Sequence, residues 1–283
     1  MGEIMTIREA VRTIIQDGDS IALEGFTHLI PHGAAQEIIR QQKQDLTLIR
    51  LTPDIIYDQM IGMGVVKKLV FSWGGNPGVG SLHRFRDAVE KSWPRALDIE
   101  EHTHAGLANR YIAGAQNLPF AVLKGYRGTD LLHRTENVAL IECPFTGERV
   151  TAVKAIHPDV TIIHAQQADR QGNVQMWGIV GIQKEAAFAA NRVIVTVEEV
   201  VDELIPKPHS VFIPASIVHA VSVVPNGTYP SYALDYSNRD NEFYKEWDGI
   251  SRDRDTYKQW MEQYVLDSAD FSEFLHKLKG VVS

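Results

Sequence analysis

The sequence predicts an α/β protein built on an open, mostly parallel, doubly wound sheet with helices on both faces. Helical and strand periods alternate from the N-terminus onward, and the connections between them are short, an order that implies a parallel sheet wound on both sides. The 283 residues, 44% hydrophobic and 23% charged, match ordinary globular usage and supply a sizeable core.

Each element has a local reason. Thr6-Ile7-Arg8-Glu9 has the spacing of a capping box, and Ala10, Val11, Ile14 and Ile15 continue it as a helical apolar stripe that stops at Asp17-Gly18. A strand follows over 20–24, then a helix from about Pro31 to Gln42 with Ala34, Ala35, Ile38 and Ile39 on one face. The unit repeats as strand LTLIRL (46–51), helix 53–64, strand 67–73, helix 81–90 and strand 96–100. Further strands read over 159–165, 173–178 and 192–199, with Asp169-Arg170-Gln171-Gly172-Asn173 as a turn. From about residue 235 the chain is rich in Asp, Tyr, Trp and Arg and reads as a mostly helical arm, closing against the sheet or a partner. No linker, low-complexity tract or repeat interrupts 1–283, which reads as a single domain.

Composition excludes several classes of function. One cysteine, Cys143, rules out a disulfide framework and a Cys-rich metal site, and it fits a cytoplasmic protein. The N-terminal MGEIMTIREAV lacks the apolar core of a signal peptide, and no run reaches the roughly 18 apolar residues of a membrane span. A net charge of −8 opposes binding to nucleic acid or anionic lipid.

Ligands of open parallel sheets bind beyond the carboxyl ends of the strands. The candidate site residues therefore lie at three strand ends. The first is Glu24, Gly25, Phe26, Thr27 and His28; the second is FSWGGNPGVGSLHR (71–84), with Gly74, Gly75, Asn76, Gly80 and Ser81; the third ends on Glu101. Glycines let a backbone approach a ligand or form an anion nest, or they simply make a turn. Gly75 and Gly80 have the spacing of a phosphate loop, but Ser81 stands where its lysine is required, and Gly78-Val79-Gly80 is not completed to GxGxxG. A carboxylate at a strand end, Glu24 or Glu101, is a nucleophile or base once desolvated, and otherwise a cap or ion-pair partner.

Other chemistries find less support. His102-Thr103-His104 shares a face only in a strand, and these residues begin a helix, so no metal site is expected. His157 and His164 read as structural, and Cys143 as a small buried residue. No GxSxG elbow is present.

Asp17-Gly18-x-x-Ile21-Ala22-Leu23-x-Gly25-Phe26 resembles the DG-x-x-(apolar)3-GGF signature of the A subunits of family I CoA transferases, with Glu24 in place of the first glycine. NLPFAV (117–122), CPFTGERVTAV (143–153), VTIIHAQQADRQGNVQMWG (160–178) and VIVTVEEVVD (193–202) extend the resemblance to the glutaconate type over nearly the whole chain. ALEGFTHLIP and FSWGGNPGVGSLHR bring it closer to the 3-oxoadipate type. The resemblance implies exchange of CoA between succinyl-CoA and a 3-oxo dicarboxylic acid through an enzyme glutamyl-CoA, with the CoA thioester as substrate and no bound cofactor. In that family the nucleophilic glutamate lies in a Ser-Glu-Asn-Gly type motif of the B subunit, which this chain lacks. The chain is thus expected to be half of a heterotetramer or larger assembly, offering one wall of the cleft and backbone N–H groups near Gly25-Phe26 or Gly75-Asn76. The same resemblance leaves a hydrolase or decarboxylase as the rival, with Glu101 as an accessory proton-transfer group.

Overall fold

The computed structural model describes residues 2–76 and 79–279. Pro77 and Gly78 of the glycine loop lie outside the described residues. The N-terminal portion runs β1 (Glu3–Ile4), α1 (Ile7–Ile14), β2 (Ser20–Glu24), α2 (His32–Arg40), β3 (Leu46–Arg50), α3 (Ile55–Gly62), β4 (Val66–Phe71), α4 (His83–Lys91), β5 (Asp98–Glu101) and α5 (His104–Ala115). Next come β6 (Phe120–Leu123), β7 (Val138–Glu142) and β8 (Arg149–Lys154), then β9 (Val160–Asp169), β10 (Val174–Met176), α6 (Gln183–Ala189), β11 (Arg192–Val201), β12 (Val211–Ile213) and β13 (Ala220–Val223). The arm holds α7 (Asn241–Arg252), α8 (Arg254–Trp260), a π-helical turn over Met261–Leu266, and α9 (Phe271–Leu278).

The large sheet has the order β1-β13-β11-β9-β2-β3-β4-β5, and every pair along that path is parallel. From β2 the chain winds outward through β3, β4 and β5, and from β9 it winds the other way through β11 and β13. The winding direction therefore reverses between β2 and β9, where Glu24 pairs with Ile163. A crevice opens at such a switch point because the connections leave on opposite sides.

Alternation along the strands feeds two cores. Ile21, Leu23, Leu48, Leu69 and Ile162 face α1, α2, α3 and the arm, whereas Ala22, Ile49 and Val70 face Leu107 and Tyr111 of α5 and Ala186 of α6. The capping box of α1 forms as expected: the Glu9 N–H donates to Thr6 Oγ1 at 3.2 Å, and the Thr6 N–H donates to Glu9 Oε2 at 3.1 Å. The 169–173 turn also forms, with Asp169 Oδ1 accepting from the Gln171 and Asn173 N–H groups, but β10 then pairs antiparallel with β9.

Two features differ from the sequence expectation. Strands β6, β7 and β8 build a separate antiparallel sheet, in the order β6-β8-β7. Phe120 and Val122 of β6 are exposed while Ala121 and Leu123 pack inward, so the all-apolar FAVL carries no period-2 signal. Cys143 is not buried: it sits half-exposed where this sheet turns from β7 to β8, at a hairpin end where Phe145 is also 93% exposed.

The arm is part of the main core. Phe243, Trp247, Tyr257, Trp260, Phe271 and Phe274 are buried together with residues of α2 and α3. Asp58 of α3 fastens it. One of its oxygens accepts from the Arg84 and Phe85 N–H groups at 2.8 and 2.9 Å, satisfying the open N-terminus of α4, and the other accepts from Trp247 Nε1 at 3.1 Å. Burial pushes the Asp58 carboxyl up to about 7, against those hydrogen bonds and the Arg84 charge. Trp247→Ala is expected to lower the unfolding free energy by about 3–5 kcal/mol, the cost of emptying a buried aromatic site. Urea denaturation reads it; unchanged stability would make the arm an appendage.

Candidate functional site

Glu24, Arg50, Phe71 and Glu101 end four adjacent parallel strands, so the loops that follow share one edge of the sheet. The turn after β2 is strained. Thr27 and Leu29 take φ values of 57° and 54°, a region that non-glycine residues occupy only when their surroundings enforce it. Here Arg50 Nη2 donates to Gly25 O at 2.9 Å, Ser231 Oγ to Thr27 O at 2.7 Å, and the Leu29 N–H to Tyr232 O at 2.9 Å. Gly25 is required by proximity: a Cβ there would lie 2.7 Å from Leu29 O.

His28 is enclosed behind this turn. Its Nδ1 donates to Ile179 O at 3.0 Å and its Nε2 accepts the Leu234 N–H at 2.9 Å, a pattern that fixes the neutral ring, while burial draws its pKa down. Both ring nitrogens are therefore occupied within the chain. Phe26 is instead 42% exposed and Trp73, on the second loop, 44%.

The first and second loops meet. Thr27 and Gly75 line a recess of 10 Å3 together with Arg50, Thr52, Asp54 and, from the arm, Arg239 and Tyr244. Gly75 also borders a neighbouring depression of 210 Å3 shared with Trp73, Gly74, Asn76, Gly80 and Ser81. The Gly75 N–H donates to Pro53 O at 3.0 Å, which commits it to the scaffold. Asn76 is buried, and neither atom of its side-chain amide has a hydrogen-bond partner among the described residues. Gly80 has φ 120° and a Cβ there would lie 2.8 Å from Asp248 Cβ; the Ser81 N–H donates to Asp248 Oδ1 at 3.0 Å. The second half of this loop is thereby docked onto α7.

Beneath the recess lies a buried polar layer. Arg50 and Asp54 form an ion pair at 2.9 Å with both side chains inaccessible. Glu24 is 2% exposed, and its Oε1 accepts from Tyr111 Oη at 3.0 Å and from the Leu51 N–H at 3.2 Å. Burial pushes the Glu24 carboxyl up to about 7, opposed by the Arg50 charge and those two donors. Glu101 stands exposed at the outer strand end, while its neighbour Glu100 turns inward. Glu100 Oε1 accepts from His102 Nε2 at 2.8 Å, Arg110 Nη1 at 2.6 Å and Asn137 Nδ2 at 2.8 Å, and its Oε2 from Lys68 at 2.6 Å. Burial works to raise this carboxyl, but the hydrogen bonds from His102 and Lys68 and the Arg110 charge hold it well below the usual carboxylate range.

Arg50, Asp54, Tyr111 and Arg239 were not among the residues singled out from sequence. An arginine inside the largely apolar LTLIRL is the readable sign for Arg50; nothing local marks Arg239. His157 and His164 are satisfied internally, His164 by Thr196 and Glu198 and His157 by Ala189 O.

The raised Glu24 carboxyl has a thermodynamic sign. Its folded pKa of about 7 exceeds the unfolded 4.5, so the stability it contributes is complete below pH 4.5 and is lost as pH rises to 7. That loss amounts to about 3 kcal/mol at most. Glu24→Gln is expected to flatten this slope, with the variant gaining on the wild type between pH 5 and pH 8 in urea midpoints. Parallel profiles would mean that Arg50 already holds Glu24 ionised.

The wider relationships of the chain fit this edge. A family model described as Coenzyme A transferase matches residues 4–223. The chain is 59% identical over 278 residues, 98% of its own length and 99% of the relative's, to the A subunit of the 3-oxoadipate CoA-transferase of Pseudomonas knackmussii. It is 33% identical to the A subunit of the glutaconate CoA-transferase of Acidaminococcus fermentans, across 98% of this chain and 92% of that one. The crystal structure of glutaconate coenzyme A-transferase from that organism superposes with a TM-score of 0.89, covering 98% of this chain and 93% of the other at 31% identity. The decarboxylase AibA/AibB superposes with a TM-score of 0.80 at 28% identity, over 92% and 98% of the two chains. With the sequence matched over nearly its whole length and the fold superposing, the chain belongs to the coenzyme A transferase family.

Proposed function

We propose that this chain is the A subunit of a cytoplasmic, heteromeric CoA transferase that moves CoA from succinyl-CoA to a 3-oxo dicarboxylic acid, 3-oxoadipate. The observation that carries the reading is the 59% identity, sustained over 98% of the chain, to a protein of that name. No helix among the described residues is long and apolar enough to cross a membrane.

The chemistry follows from conserving a thioester. The succinyl carbonyl is attacked by a carboxylate of the B subunit, the C–S bond breaks, CoA leaves as thiolate, and a mixed anhydride of succinate and the enzyme carboxylate remains. The thiolate attacks the glutamyl carbonyl of the anhydride, succinate departs, and a glutamyl-CoA thioester remains. The acceptor carboxylate reverses both steps and leaves as acyl-CoA. Water must be kept from the anhydride, and the tetrahedral oxygen needs donors.

In this reading the present chain supplies the wall. The exposed rings of Phe26 and Trp73 stand on the two loops that contribute Thr27 and Gly75 to the recess, and they exclude water once a partner closes over them. With the Gly75 N–H committed to Pro53 O, the backbone donors offered to the reacting oxygen are those of the Gly25–Phe26 segment or of Asn76. Glu101, exposed at the strand end, is an accessory that orients substrate or moves a proton, and Glu24 is a buried support of the turn. We place the assembly at a heterotetramer or larger.

Reconstitution tests the reading. The isolated chain is expected to be inactive, and the complex with its B subunit to transfer CoA from succinyl-CoA to 3-oxoadipate with parallel initial-rate lines. Release of free CoA at the full rate without an acceptor would make the complex a hydrolase. Within the active complex, Gly75→Val would put a Cβ 2.8 Å from the Trp73 ring and displace it. Turnover should fall about 100-fold, the scale of a site misplaced by about an ångström. Unchanged kinetics would return the loop to a purely structural turn.

A further inference from the structure

We propose that Arg239 is the residue that selects dicarboxylic acyl groups, by binding the carboxylate at the far end of the substrate. The inference rests on the transferase reading and deepens it.

Arg239 comes from the segment between residues 231 and 240, which lies across the turn after β2. Three contacts hold it there: Ser231 Oγ to Thr27 O, the Leu29 N–H to Tyr232 O, and the Leu234 N–H to His28 Nε2. The segment thus carries a cation over the switch point of the sheet, where Arg239 forms part of the recess with Thr27, Thr52 and Gly75. On its other side Arg239 borders a polar depression of 550 Å3, lined also by Asn226, Tyr236, Ser237 and Asn238. It therefore stands at the junction of the two spaces.

Its guanidinium is oriented in advance. The group lies over the Tyr244 ring at 4.3 Å, and Nε donates to Asn241 Oδ1 at 2.9 Å. Fixing the plane through Nε leaves the two Nη groups as a fork, the geometry that receives a carboxylate by two parallel hydrogen bonds. Among the described residues no carboxylate lies within ion-pairing distance of Arg239. The nearby acids are otherwise engaged: Asp54 with Arg50, Asp240 with Tyr229 Oη and the Phe243 N–H, and Glu242 with Lys245. Since the Arg50–Asp54 pair is internally neutral, Arg239 gives the recess its uncompensated positive charge.

The requirement is set by the reaction. In a ping-pong exchange the leaving and entering acyl groups occupy one place in turn, and succinyl and 3-oxoadipyl both end in a –CH2–CH2–carboxylate, which 3-oxoadipyl sets two carbons further from the reacting carbonyl. One end reacts. The other is a carboxylate in both, so a cation placed at that end favours dicarboxylic over monocarboxylic acyl groups.

The test uses the assembled two-subunit enzyme and compares 3-oxoadipate with a 3-oxo monocarboxylic acid of the same length that ends in a methyl group. The acceptor's kcat/KM reports only the second half-reaction, so the donor does not enter. Arg239→Gln is expected to lower the ratio of the two kcat/KM values about 30-fold, the worth of a charged hydrogen-bonded contact, mainly through KM. Arg239→Lys should keep an intermediate preference, which a merely structural arginine would not show. An unchanged ratio in Arg239→Gln, or an equal loss with both acids, would overturn the assignment while leaving the transferase reading intact. A wild-type complex that transfers CoA to neither acid would remove the function and the assignment together.

Discussion

The buried guanidinium of Arg50 is the interaction on which the edge of the sheet depends. One of its nitrogens reaches Asp54 and another reaches Gly25 O, each at 2.9 Å, so a single side chain ties the turn after β2 to the segment after β3. A charge so deeply buried is tolerable only with such partners. Residues 51–54 then act as a hub. The Leu51 N–H donates to Glu24, Leu51 O accepts from the N–H groups of Ser72 and Trp73, and Pro53 O accepts from Gly75. The strained turn at Thr27 and Leu29 and the glycine loop are thereby held to one support.

Behind this edge the fold supplies stiffness on both sides. The aromatic arm fills the face covered by α2, α3 and α4, and Asp58 couples its Trp247 to the start of α4, the helix that follows the glycine loop. Asp248 binds the Ser81 N–H and His83, which fixes the exit of the same loop. On the other side Glu100 joins β4 through Lys68, α5 through Arg110 and the small sheet through Asn137, so Glu101 is presented from an anchored strand. Loops that must align a reacting group to a fraction of an ångström are served by rigid surroundings.

What the sequence made legible follows the range of the interactions involved. Strand 20–24, strand 46–50, the capping box at Thr6 and the Asp169 turn are decided by residues a few positions apart, and all were readable. That the turn after strand 20–24 and the 74–81 loop would share one wall was an expectation of the family resemblance, and the structure brings Thr27 and Gly75 to one recess. The roles of Arg239 and Asp248 were not readable, because they depend on contacts with residues far along the chain. Glu100 and Glu101 illustrate a smaller limit: on an edge strand, sequence shows two adjacent carboxylates but not which one turns inward. The small sheet escaped for a similar reason, its apolar residues facing outward as well as inward.

In the proposed function this edge is one wall of a shared site whose covalent chemistry belongs to another chain. The most direct measurement is to incubate the assembled complex with succinyl-CoA, reduce the thioester with borohydride, and locate the modified residue by peptide mass mapping. A single modified glutamate on the partner chain is the result the account requires. Modification of Glu24, Glu101 or any other residue of this chain would contradict it.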